Sequence, residues 1–250
     1  MQSVSVSLLP SILRPQLLPG SIAVVIDVLR ATTVMATAIA NGADRILPCQ
    51  TIEEAHRLVQ LNRRQSLLCG ERGGLPIDGF DLGNSPAEYM PETVSGKSLV
   101  MTTTNGTKAL AAVNGADDVV TACFLNRSAV LAHVQDAQRV LVCCAGTDGE
   151  ISREDVLLAG ALVASLVESF NFKMADDSTR LALDSWKQVA GDDPTICQLT
   201  DALLDSQGGR NLQRIGHADD ITLAAQIDTL SIVPTRTNLH PLELRFTSRE

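Results

Sequence analysis

The amino-acid sequence predicts an α/β protein: three layers, α/β/α, around a largely parallel central sheet, followed by a helix-rich C-terminal part. Three observations carry this expectation. Short apolar runs rich in Val, Ile and Leu recur up to residue 145, helix-period segments separate them, and the runs are apolar throughout, as in strands covered on both faces. A chain of 250 residues, 45% hydrophobic and 20% charged, can bury one sizeable core, so residues 1–250 are expected to form a single domain.

The elements follow in order. SIAVVID at 21–27 reads as the first strand, and 32–41 as the helix after it. Residues 45–49 and 66–71 read as strands flanking a helix at 52–62. Next comes RGGLPIDGFDLGNSP at 72–86, which has four glycines, two prolines and no period. A loop this long in a compact domain is usually functional, and Ile77, Phe80 and Leu82 suggest that it folds back on the body. Strands are then expected at 98–102, 119–124 and 139–145, with helices at 107–113, 127–137 and 153–170. A more polar, helix-rich portion spans 175–230. SIVPTR at 231–236, with its proline, reads as a final edge strand.

Composition excludes several functions. Twenty basic against 29 acidic residues leave a net charge of −9, and aromatics are 3%, which disfavours phosphate backbones and base stacking, so no nucleic-acid partner is expected. No apolar run approaches about 18 residues and the N-terminus lacks a basic, then apolar, leader, so neither a membrane span nor secretion is expected. The six cysteines form no CxxC pair and mostly sit in apolar runs; buried, reduced thiols and a cytoplasmic location are the expectation. His56, His133, His217 and His240 share no metal-ligand spacing, and no GxSxG elbow is present.

Ligands of open parallel sheets bind where strand carboxyl ends meet helix N-termini, so the residues after each strand are the candidates. DVLRATT places Asp27, Arg30 and two threonines at the first such end; GERGG places Glu71 and Arg72 at another; and TTTNGT supplies Thr103, Thr104, Asn105, Gly106 and Thr107 just before a helix. Glu154 and Asp155 open the long helix after CAGTDG. Each has a plainer explanation. Asp27 could bond loop amides, TTTNGT could be an Asn-Gly turn, Glu71 and Arg72 a surface pair, and Asp155 a cap partner of Ser152. Together they point to a carboxylate-held Mg²⁺ site acting on a small anionic phosphate ester. In that reading Asp27, Arg30 and Glu71 are catalytic, Asp27, Glu71 and Asp155 hold the metal, and Arg30, Arg72 and the loop 103–107 bind substrate through guanidinium forks and backbone N–H groups.

DVLRATT, GERGGLPIDGFDLGNSP, TTTNGT, the AGTDG segment with its ED, and GRNLQRIGHADDITLAAQID resemble the 2-phosphosulfolactate phosphatase family of coenzyme M biosynthesis, from about Asp27 to Pro234. The resemblance implies a Mg²⁺-dependent phosphatase that converts 2-phosphosulfolactate to sulfolactate. It places Asp27, Arg30, Glu71, Arg72, Asp81, Asn84, the 102–107 loop, Glu154 and Asp155 in the family's motifs, and leaves open which acids ligate metal. Direct attack by water and a phospho-enzyme both stay open, although Leu29 stands where a haloacid-dehalogenase-like phosphatase carries its second aspartate. A homodimer is the default assembly. Two competing readings are a non-enzymatic protein binding an anionic metabolite and a phosphatase of a different phospho-carboxylic acid. Carboxylates at several strand ends favour an enzyme, because they repel an anion unless a metal lies between.

Overall fold

Strands that are apolar on both faces can be satisfied only between two layers of helix, and that is how the computed structural model arranges them; it describes residues 1–190, 194–239 and 242–246. His240 lies outside the described residues. The strands are β1 (Ser3–Ser7), β2 (Ile22–Ile26), β3 (Arg45–Pro48), β4 (Ser66–Arg72), β5 (Leu75–Pro76), β6 (Ser98–Thr102), β7 (Asp118–Ala122), β8 (Arg139–Cys144), β9 (Lys173–Met174), β10 (Pro234–Leu239) and β11 (Leu242–Phe246). The helices are α1 (Ala31–Ala40), α2 (Ile52–Gln60), α3 (Pro91–Val94), α4 (Gly106–Ala112), α5 (Arg127–Val134), α6 (Arg153–Phe170), α7 (Asp177–Ala190), α8 (Ile196–Leu204), α9 (Gln207–Arg214) and α10 (Ala218–Ala224).

The expected strands and helices form within a few residues of their sequence bounds, and the helix-rich portion resolves into α7 to α10. The first strand, however, is Ser3–Ser7, whose alternating SVSVS pairs in parallel with both β8 and β9. The loop at 72–86 does fold back: the Asp81 and Leu82 N–H groups donate to the Leu68 carbonyl, and the Asp81 carboxylate accepts from the Leu68 N–H and from Arg63.

The sheet order is β5-β4-β6-β3-β11-β10-β7-β2-β8-β1-β9. Segment 231–236 is therefore not an edge. Its strand, β10, forms a hairpin with β11 in the middle of the sheet, joined to β7 through Thr235 and Val120 and to β3 through Leu244 and Ile46. Two parallel blocks each leave an open edge, and the antiparallel hairpin fills both. Pro234 is tolerated because it is the first residue of its strand. Since the hairpin is antiparallel to both neighbours, the two blocks run in opposite senses along the sheet.

Alternation along β2 divides the core. Val24 and Ile26 face one layer with Leu157, Leu158 and Leu162 of α6; Ala23 and Val25 face the other, where Val34 and Met35 of α1 meet Ile46, Leu99 and Met101 of the opposite block. Helix α6 is apolar nearly all round because α7 covers its outer side, and Gly160 permits that contact: a Cβ there would stand 2.1 Å from the Ala182 carbonyl oxygen. No described helix is long and apolar enough to cross a membrane. All six cysteines are unpaired and five are buried. Burial pushes the Cys143 thiol up to about 12, as expected of core rather than nucleophile.

Candidate active site

The carboxyl ends of both blocks open on one cavity of about 480 Å³. One wall carries Asp27, Leu29 and Arg30 after β2, Glu71 at the end of β4, Gly73, Gly74 and Asn84 of the long loop, Thr104 and Asn105 after β6, and Thr147 and Asp148 after β8. The rest of the lining, a second wall, is α9 and its C-terminal side, with Gln207, Gly208, Asn211, Leu212, Arg214 and Ile215.

Asp27 leaves β2 only 7% exposed. Its Oδ1 accepts from the Ala31 N–H at 3.1 Å, and the Thr32 hydroxyl donates to the Asp27 and Ala122 carbonyls, so the turn into α1 is locked. Gly106 presses on the carboxylate from α4: a Cβ there would meet Asp27 Oδ2 at 2.8 Å. Burial raises the Asp27 pKa to about 7, the charges of Glu71 and Glu154 push the same way, and Ala31 and Arg30 oppose. A carboxyl that exchanges its proton near neutrality is suited to acid–base work.

Glu71 is placed at the cavity but already occupied. Its Oε1 accepts the Thr104 N–H at 2.6 Å, and its Oε2 accepts the Gly74 N–H at 2.7 Å and the Thr104 hydroxyl at 3.2 Å. It thus ties the long loop to the threonine loop. Arg30, 3% exposed, donates to Asp220 at 2.6 Å and to the Gly74 carbonyl at 2.7 Å; Asp220 in turn accepts from Ser85 Oγ at 2.6 Å. This buried network joins the β2 end, the long loop and α10.

Several candidates lie elsewhere. Arg72 turns back onto its own strand, donating to the Glu71 and Thr102 carbonyls and the Thr102 hydroxyl, and does not line the cavity. Those acceptors consume the guanidinium fork expected to hold substrate. Thr103 and Thr107 are buried and bond each other, leaving Thr104 and Asn105 as the cavity-facing part of that loop. Asp155 is 2% exposed, and its two oxygens accept the Val28 and Gly146 N–H groups, clamping β2 to the segment after β8. Asp155, expected as a metal ligand, thus clamps two segments and is not among the residues that line the cavity. Burial and the neighbouring Glu154 and Asp27 hold its pKa well above the carboxylate range.

The neighbouring acid is the more telling one. Glu154 is 1% exposed, its Oε2 has no hydrogen-bond partner, and a Cβ on Gly208 of the cavity wall would stand 2.1 Å from its Oε1. Burial raises its pKa, against the opposing Ser206, Ser152 and Arg210. Asn84 Oδ1 is a second buried acceptor without a partner, and Asn84 lines the cavity. Among the described residues no three Asp, Glu, His or Cys side chains converge as a metal cluster. None of the described histidines lines the cavity. The α9 wall has none of the strand-end acids or threonines that mark the other wall, although Asn211, Leu212, Arg214 and Ile215 fall in the GRNLQRIGHADDITLAAQID segment; the Gly208–Gly209 pair is the sequence sign that a helix there approaches other groups closely.

Residues 8–238 match the family model described as 2-phosphosulpholactate phosphatase. Curated relatives named probable 2-phosphosulfolactate phosphatase are similar over most of their length. That of Caldanaerobacter subterraneus is 40% identical over 217 residues, covering 86% of this chain and 87% of its own. That of Pseudothermotoga lettingae is 42% identical over 213 residues, 85% and 88% of the two chains. That of Deinococcus radiodurans is 42% identical over 230 residues, 89% and 92%.

Proposed function

This chain belongs to the 2-phosphosulfolactate phosphatase family, and we propose that it hydrolyses the phosphate ester of a small 2-phospho-3-sulfo acid, 2-phosphosulfolactate to sulfolactate and phosphate, with the aid of Mg²⁺. The charge of the cavity carries this reading. Its lining holds the carboxylates of Asp27, Glu71 and Asp148 against the guanidiniums of Arg30 and Arg214, and Arg30 is already paired with Asp220. A polyanionic ester is repelled by such a wall unless a cation lies between.

The donors suit a hard cation. Asn84 Oδ1, which lines the cavity, and Glu154 Oε2, whose charge reaches Asp27, are buried oxygens without partners, and either would serve as a ligand of Mg²⁺ together with oxygens of the substrate. One or two carboxylates with water and substrate phosphate is the usual Mg²⁺ complement, so a cluster of three acids is not required. When bound, the cation offsets the charge of the phosphate and of the departing alkoxide.

The chain's own groups supply the rest. The N–H of Asn105, the residue before α4, orients the phosphate beside Thr104. As the water oxygen bonds to phosphorus and the P–O ester bond breaks, Asp27 takes a proton from that water at the carboxylate oxygen not bonded to Ala31, and the departing alkoxide takes up a proton from solvent to become the alcohol of sulfolactate. Unpaired, mostly buried cysteines support placing the enzyme in the reducing cytoplasm.

Release of phosphate from 2-phosphosulfolactate tests the proposal. Activity is expected to vanish on chelation, to return with Mg²⁺, and to rise with pH as Asp27 ionises around or below its metal-free value of about 7. Hydrolysis that survives complete chelation overturns the metal requirement; a substrate left intact at every Mg²⁺ concentration overturns the activity.

A further inference from the structure

The two arginines of the cavity are in opposite electrostatic states. Arg30 is buried and spent on Asp220 and the Gly74 carbonyl. Arg214, at the end of α9, is exposed; its guanidinium donates at 2.6 Å to the neutral Asn211 Oδ1, and no described carboxylate lies within ion-pair distance. It is held toward the cavity by its own helix, since Leu212 is buried in the core beneath and the next residue, Ile215, touches Gly74, where a Cβ would stand 2.7 Å from the Ile215 Cδ1. The side-chain amides of Gln207 and Asn211 line the same wall.

Resting on the phosphatase reading, we propose that Arg214 is a specificity-determining residue, which with Gln207 and Asn211 binds the acid group of the substrate that is not transferred, a carboxylate or a sulfonate. Three features support this. The reacting groups, Asp27 and the Thr104–Asn105 turn, come from the strand ends, and Arg214, Gln207 and Asn211 of α9 line the same cavity, so a short substrate held there by its phosphate shares that cavity with the α9 groups. The planar guanidinium presents paired N–H donors to two oxygens of one oxyanion, which matches either acid group. A cation with only a neutral partner keeps its charge for the ligand, whereas Arg30 cannot release Asp220 without leaving that carboxylate, 4% exposed, with only the Ser85 hydroxyl and the His217 ring beside it.

The test is the kcat/KM of wild type, Arg214→Gln and Arg214→Lys on four esters: 2-phosphosulfolactate, phosphoglycolate with a carboxylate only, phosphorylated isethionate with a sulfonate only, and p-nitrophenyl phosphate with neither. Arg214→Gln is expected to lose at least tenfold more on the acid-bearing esters than on p-nitrophenyl phosphate, mostly in KM, because binding shared by ground and transition states is removed. Arg214→Lys is expected to recover part of the loss. The single-acid ester with the larger loss identifies the group that Arg214 reads. Equal loss on all four esters, or none, overturns the assignment. Calorimetric titration with sulfolactate and with inorganic phosphate keeps this separate from the phosphatase reading. If wild type hydrolyses nothing yet Arg214→Gln weakens sulfolactate binding tenfold more than phosphate binding, the subsite stands and the activity falls. If phosphate binding suffers as much, Arg214 holds phosphate and the subsite falls.

Discussion

The two walls of the cavity are held in place by different forces. On the strand-end wall, Asp27 and Glu71 are fixed by short bonds to backbone N–H groups of turns that strands β2, β4 and β6 deliver. On the helical wall, α9 and α10 rest on apolar contacts of Leu212 and Ile221 and on one buried ion pair, Arg30 with Asp220, that reaches back to the sheet. The acid–base chemistry proposed for Asp27 tolerates little displacement and falls where the sheet is rigid; the recognition proposed for Arg214 tolerates more and falls on packed helices. Asp220 is the fastener between them.

Four substitutions break or sharpen that contrast. Asp220→Ala strands the Arg30 guanidinium, 3% exposed, and is expected to cost about 3–5 kcal/mol in urea unfolding with activity falling alongside. Wild-type stability would show that the walls are held together some other way. Asp27→Asn is expected to lower kcat by about 10² or more without loss of fold. Its stability signature is distinctive. The folded chain binds the Asp27 proton more tightly than the unfolded one, about 7 against 3.8, so the group favours folding below pH 4 and that advantage disappears as pH rises through 7. At pH 8 Asp27→Asn should therefore melt higher than wild type; a lower Tm with near-normal kcat would make Asp27 structural.

A smaller loss is expected from Gly106→Ala, whose Cβ would stand 2.6 Å from the Ala31 Cβ and 2.8 Å from Asp27 Oδ2. Displacing that carboxylate should reduce kcat about tenfold, with KM less affected; unchanged kcat would free Asp27 from its dependence on α4. Least of all should come from Arg72→Lys, because Arg72 bonds its own strand and β6. We expect kcat/KM within about twofold of wild type, and a large loss would return Arg72 to the substrate.

The candidate site was legible where local sequence forces a geometry. Five apolar residues before Asp27 announce a buried strand, and the residue after it must emerge at the strand end. The same logic found Glu71 and the 102–107 turn. It could not separate Glu154 from Asp155, since consecutive helical residues point about 100° apart and only the surroundings decide which finds backbone donors. It also assigned Arg72 and Arg30 the same task, although one turns onto its own strand and the other crosses to α10.

Apolar periodicity, turn residues and strand-end chemistry, read from the sequence alone, determined the α/β layering, the helix-rich C-terminal part and the motifs that carry the family resemblance, because each depends on residues within a few positions of one another. Only the tertiary structure decided that the last strands enter the middle of the sheet and reverse one block against the other, that α9 closes the cavity, and that Arg30 is spent on Asp220 while Arg214 keeps its charge. Those outcomes depend on partners far apart in the chain, 190 positions for Arg30 and Asp220 and 198 for Arg45 of β3 and Glu243 of β11, and a local pattern does not encode which distant group a side chain will meet.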